Sequence, residues 1–221
     1  MDSAEIITIL AKILALMIAI VGHEIMHGYV AYLYGDNTAK NQGRLSINPI
    51  IHVDPIGTIV VPAILFISGA PFLFGWAKPV PINVRTVFDN GGYKGAIHVS
   101  LAGIAYNFAL AFIAWILLNL FVDGDVQGYS EYFLVLFLIN CLVYNIVLGV
   151  FNLYPIPPLD GSHALGYFGA SMGWHGLVRF YDSIERYGMV ILLLFIATPL
   201  SKYVFMPIHY LVSYALPLGN F

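Results

Sequence analysis

Residues 23–27 read His-Glu-Ile-Met-His. On a helix, positions i and i+4 lie on one face. His23 and His27 can therefore offer two imidazole nitrogens to one tetrahedral zinc ion, and Glu24, one position on, can reach the metal-bound water as a general base. With 7 His and 4 Glu in 221 residues, composition alone produces this pattern in about half a per cent of such chains. A catalytic zinc needs a third protein ligand and one open position. The residues after His27, GYVAYLYGDN, supply no further histidine. His52, Asp54, His98, His175 and His209 are candidates. Asp160 stands out among them, because it closes an apolar run that ends NLYPIPPLDG. Three prolines in that stretch must break a helix, which puts Asp160 on irregular backbone at the end of the run.

The elements that position these groups are apolar. The chain is 60% hydrophobic and 10% charged, with a mean hydropathy of +0.84. A water-soluble domain carries about 25% charged residues, so the composition predicts an all-α polytopic membrane protein. The net charge is −3 and no basic run exists, which argues against a nucleic-acid partner. The single cysteine, Cys141, excludes an intrachain disulfide and a multi-cysteine metal site and reads as a packed membrane residue. Apolar segments at about 4–34, 56–74, 96–122, 131–154 and 187–217 give about four to six membrane segments, a span needing about 20 residues. The last is interrupted by Thr198-Pro199 and Met206-Pro207, which suits either one kinked span or a hairpin. The first segment lacks the basic start and small-residue cleavage site of a signal peptide. A single domain over 1–221 is expected, with a core at about 4–165 and C-terminal membrane segments at about 187–217.

Charge orients these segments. Lys40 and Arg44, then Lys78, Arg85 and Lys94, then Arg179 and Arg186 mark three stretches as cytoplasmic, while 123–131 holds three acids and no Lys or Arg. That assignment requires 56–74 to enter and leave on one side, as a short helix of about 12 residues with SGAPFLFG returning extended would; a full span is the alternative. The alternation in GRLSINPIIHVDPIGT (43–58) and GWAKPVPINVRTV (75–87) predicts short extended or β elements at the cytoplasmic face. Segments 4–34 and 131–154 then both run outside to inside, so His23, His27 and Asp160 share a depth near the cytoplasmic side if the broken NLYPIPPLD stretch stays within the membrane.

HEIMH together with NLYPIPPLDG resembles the site-2 protease family of intramembrane zinc metalloproteases. In that family H-E-x-x-H on one span pairs with N-x-x-P-x-x-P-x-D-G on a later one. Asn152, Pro155, Asp160 and Gly161 match the second motif. SLAGIAYN (100–107) is similar to a third family element, S-x-A-G-P-x-x-N, with Ile104 in place of proline. GRLSINP, HVDPIGT and GWAKPVPIN look like a compact bacterial or archaeal subgroup, and the likeness covers roughly residues 18–165. It implies one zinc per chain held by His23, His27 and Asp160, Glu24 as catalytic base, Asn152 bonding the substrate backbone, and a role for Asn107 in shaping the site. It also implies a multi-pass protein of a prokaryotic cell membrane that cuts the transmembrane segment of a protein substrate.

Other readings attach to single residues. His163, one helical turn past Asp160, suits either a supporting contact to the metal site or a packed helix start. Asn140 and Asn145 read as interhelical glue, and the proline-rich rim could pair with an unwound substrate strand. From a different class, an intramembrane zinc transporter or sensor would also use His23, His27 and Asp160, and an inactive pseudoprotease scaffold would keep the metal without the reaction. The oligomeric state has no signature in the sequence.

Overall fold

A computed structural model describes residues 2–68, 75–121 and 128–216. The first helix, α1 (Ser3–Leu33), opens with a capping box. Asp2 accepts from the Glu5 amide at 2.8 Å, and the Asp2 amide donates to Glu5 Oε2 at 3.1 Å. Its 31 residues reach about 46 Å, more than the roughly 30 Å of a bilayer's hydrocarbon layer. Ala11, Ala15, Ala19, His23, His27 and Ala31 form one buried i+4 ridge, while Ile6, Ile9, Leu10, Ile13 and Leu14 face outward. In lipid, burying an apolar side chain gains little over leaving it in the tails. Small residues that let backbones approach closely therefore supply the cohesion.

Two further helices pack on that ridge, α4 (Val84–Phe121) and α5 (Tyr129–Leu153). Contacts between α1 and α4 run in opposite order: Tyr34 meets His98, His27 meets Val99, His23 meets Asn107, and Ile18 meets Tyr106. The two helices are thus antiparallel. Thr8 meets Tyr132 near the starts of α1 and α5, so those two run parallel. Ala15, Ala111, Ala114, Leu118, Leu138, Cys141, Leu142 and Ile146 interlock in the bundle's core, with Cys141 packed there as the sequence suggests. Gly92, at φ 57° and ψ −153°, breaks α4 near its start with a backbone geometry open essentially to glycine alone.

By length and composition, α1, α4 and α5 can each cross a membrane. A fourth crossing exists if α7 (His175–Ile184), α8 (Gly188–Ala197) and α9 (Ser201–Ala215), bent by 76° between Ala197 and Ser201, count as one span. Among the described residues the count is three or four; four meets the low end of the expected four to six and three falls below it.

The connection from α1 to α4 corrects one expectation. No strand forms among the described residues. After α2 (Thr38–Asn41), the chain makes a tight 3-10 turn at Pro49–His52 and a wide π-helical turn at Pro55–Val60 that continues into α3 (Val61–Ile67). Asn48 caps the first turn by accepting from the Ile50 amide, and Asp54 caps the second by accepting from Ile56 and Gly57. Asn-Pro and Asp-Pro are helix-start signals: a side-chain acceptor followed by a residue with no amide to satisfy. They outweigh the alternating pattern that reads as β. Residues 75–83 are irregular rather than a strand.

Residues Pro55–Ile67 are apolar but cover only about 20 Å as helix, too short to cross. The Trp76 amide donates to Gly57 O at 3.2 Å, and the Thr58 hydroxyl donates to Trp76 O at 2.8 Å. A segment whose ends bond to each other does not end on opposite faces. The antiparallel order of α1 and α4 requires the same. The extended return expected of SGAPFLFG falls mostly on 69–74, outside the described residues, as does most of the acidic loop 123–131.

Candidate metal centre

His23 and His27 stand on the buried ridge of α1, 7% and 8% exposed. Asp160 arrives from α5. That helix stops at Leu153, the chain turns through the proline-rich stretch, and α6 (Asp160–Ser171) starts with Asp160 in its first turn. The turn is tight. A Cβ on Gly161 would lie 2.2 Å from Leu153 O, so only glycine allows the new helix to sit against the end of the old one. The His23 and His27 Nε2 atoms are 3.0 Å apart, and Asp160 Oδ2 lies 3.0 and 3.3 Å from them.

The protons on these rings follow from their neighbours. Val99 O can only accept, so His27 Nδ1, 2.7 Å away, carries the hydrogen. His23 Nδ1 lies 2.6 Å from Asn107 Oδ1. That amide is oriented by its other end, because Asn107 Nδ2 donates to Ala19 O at 3.2 Å and to Asn145 Oδ1 at 2.8 Å. In the neutral rings both Nε2 atoms then present lone pairs, and they face a buried carboxylate oxygen, Asp160 Oδ2, that makes no hydrogen bond. Three lone-pair donors pointed at one spot repel each other unless a cation lies between them. A tetrahedral zinc with N and O ligands at about 2.0–2.1 Å has edges of about 3.3 Å, close to the observed triangle. The residues present fit a zinc ion, with the Nδ1 partners in the orienting role that metal-bound histidines require.

A cavity of about 660 Å³ borders His23, Glu24, His27 and Asp160. Glu24 Oε2 accepts from the Val80 amide at 3.0 Å. Val80 belongs to the irregular rim 75–83, which is tied down on both sides. Arg44 Nη2 donates to Lys78 O at 2.7 Å and Pro79 O at 3.3 Å. Lys78 N donates to His52 O, and Asn83 N donates to Asp36 Oδ2. Asp36 is itself buried, and burial pushes its carboxyl pKa up. The Thr38 hydroxyl and the amides of Thr38 and Asn83 overcome that and hold it below the usual carboxylate value.

The remaining candidates lie as follows. Asn152 borders the cavity, with its amide donating to Leu148 O. His163 also borders it, but its Nε2 faces Glu185 Oε1 at 3.8 Å rather than a ligand. His52 bonds Ser46 O and His98 bonds Tyr34, so neither joins the triangle. Asn140 bonds within its own helix, to Leu136 O, whereas Asn145 reaches across to α4. Sequence reasoning missed the anchoring of the rim by Arg44 and Asp36 and the close approach of Gly103 to the His23 ring, where a Cβ would lie 2.5 Å from Cε1. The buried, isolated charges of the first two and the SLAG small-residue run were their available signals.

Several known proteins are similar to the chain. A Bacillus subtilis protein named "Putative zinc metalloprotease YwhC" is 37% identical over 202 residues, covering 88% of this chain and 84% of that one. MJ0611 of Methanocaldococcus jannaschii bears the same designation and is 29% identical over 73% of this chain and 72% of its own length. So does Rip2 of Mycolicibacterium smegmatis, 29% identical over 65% of this chain and 51% of its own. No family model and no solved structure matches.

Proposed function

From the premise that this chain belongs to the zinc metalloprotease family of these relatives, we propose that it is an intramembrane zinc endopeptidase of the site-2 protease kind. Its substrates are transmembrane segments of other proteins, cut near the cytoplasmic face of a prokaryotic cell membrane. The observation that carries this reading is the His23–His27–Asp160 triangle, its histidines buried, bordered by Glu24 and set among helices apolar enough to cross a bilayer. His23, His27 and Asp160 hold one zinc. That ion, when bound, polarises the scissile carbonyl and acidifies a water molecule. Glu24 accepts the proton of the attacking water and delivers it to the leaving amine. Asn152 and the backbone of 75–83 hold the unwound substrate along the cavity.

The test uses purified protein in proteoliposomes with a synthetic transmembrane peptide. Glu24→Gln should retain zinc and lose cleavage, and Asp160→Asn should bind zinc more weakly. Full cleavage by Glu24→Gln would sink the mechanism, and zinc flux without cleavage would favour a transporter. Membrane proteomics of cells carrying Glu24→Gln should show accumulated single-span proteins.

A further inference from the structure

Between α4 and α5 a chain of side-chain amides leads to the metal centre. Asn145 Nδ2 donates to Cys141 O, one turn back on its own helix, at 2.8 Å. Its Oδ1 accepts from Asn107 Nδ2 at 2.8 Å, and Asn107 Oδ1 meets His23 Nδ1 at 2.6 Å. Both asparagines are 0% exposed. The carbonyl of Cys141 can only accept, so the direction of every bond in the chain is determined from that end. Building on the metal-centre reading above, we propose that Asn145 is a positioning residue for zinc: acting through Asn107, it holds His23 in the tautomer that turns a lone pair, not a hydrogen, toward Asp160.

The reason is a flip that Asn145 forbids. If the Asn107 amide turned over, its nitrogen would face His23, and the ring would shift its hydrogen to Nε2, into the triangle. The turned amide would then press Oδ1 against Ala19 O, now 3.2 Å from Nδ2, and against Asn145 Oδ1, now 2.8 Å from it. Two acceptor–acceptor contacts block the flip. Without Asn145 the longer one alone remains, and in the low-dielectric interior each unpaired polar contact counts heavily. Plain interhelical glue would tie α4 to α5 with no bearing on which ring nitrogen is bare.

The experiment measures zinc affinity of the purified full chain in detergent by competition with a chelator. Asn145→Leu keeps the branched outline of the side chain and removes the acceptor, and should weaken zinc binding about tenfold. Asn145→Asp, as a buried neutral carboxyl, can donate its hydroxyl to Cys141 O and keep an acceptor toward Asn107, and should stay within about twofold of wild type. Because Asn145 acts through Asn107, adding Asn145→Leu to Asn107→Leu should cause no further loss. If Asn145→Leu does not fold, Asn145→Ala carries the same expectation. The proposal is overturned by wild-type affinity in the variant lacking the acceptor, by losses that multiply in the double variant, or by an Asp variant as weak as the Leu variant. A wild-type chain that takes up no zinc would remove the metal-centre reading itself, and this proposal with it.

Discussion

A single methyl group tests whether the triangle depends on how closely α1 and α4 approach. Gly103 on α4 faces the His23 ring. A Cβ there would lie 2.5 Å from Cε1 and 2.6 Å from both ring nitrogens, against 3.4 Å for the onset of ordinary contact. Gly103→Ala therefore demands about 0.9 Å of movement, by subtraction of those distances. The helix is poorly placed to give way, because Val99 and Asn107 bond α4 to α1 on either side of Gly103. The ring must move instead. Metal sites hold ligand distances to about 0.2 Å, so the shift exceeds the tolerance roughly fourfold and also strains the Nδ1 bond to Asn107. Zinc affinity should fall by about 10–100-fold, with an overpacking penalty of about 1–3 kcal/mol on the fold. Chelator competition reads the first and thermal denaturation in detergent the second. Gly169→Ala is the control, since its new methyl meets the Leu177 side chain, 2.8 Å from Cδ2, and neither residue lines the cavity. It should leave zinc binding unchanged. Zinc affinity for Gly103→Ala within about twofold of wild type would refute the reasoning.

The rim offers further tests. Arg44→Met should lower cleavage about tenfold while zinc content stays the same, because the carbonyls of Lys78 and Pro79 lose their anchor and Val80 its hold on Glu24; an equal loss of zinc would contradict a role confined to the rim. The Asp36 carboxyl has a lower pKa folded than unfolded. Its stabilisation is thus fully present above the unfolded value near 3.9 and is lost as pH falls through the folded value. The melting-temperature gap between wild type and Asp36→Asn should be widest at neutral pH and shrink below about pH 4, and a constant gap would exclude this linkage. Single cysteines at the exposed positions 40 and 78 should react with an impermeant reagent from one and the same side of the membrane; opposite sides would contradict the closed segment 57–76.

What could be read in advance depended on whether the signal was local. His23 and His27 declare themselves because helical spacing alone puts them together. Asp160 declares itself because prolines mark where a helix must stop. The misread connection shows the limit of pattern. Alternation in 43–58 suggested strands, but a strand needs a neighbour to bond, and here Asn48 and Asp54 satisfied the backbone within a few residues. Asn145 looked like generic glue because its meaning depends on Asn107, 38 positions away, and on His23 beyond that. The alanines at 11, 15, 19 and 31 share the register of the histidines. An i+4 count extended past the metal motif would have found the face on which α4 and α5 pack.

The bond between Gly57 and Trp76 has a consequence for parity. Each membrane crossing reverses the sense of everything that follows it, so His27 and Asp160 meet only if an even number of crossings separates them. Here α4 and α5, each long and apolar enough to cross, supply two. The stretch closed by Gly57 and Trp76 contributes zero, whatever its length. It is therefore a place where residues can be gained, lost or exchanged without changing the count. One added crossing there would put Asp160 on the far face, about 30 Å from His23 and His27.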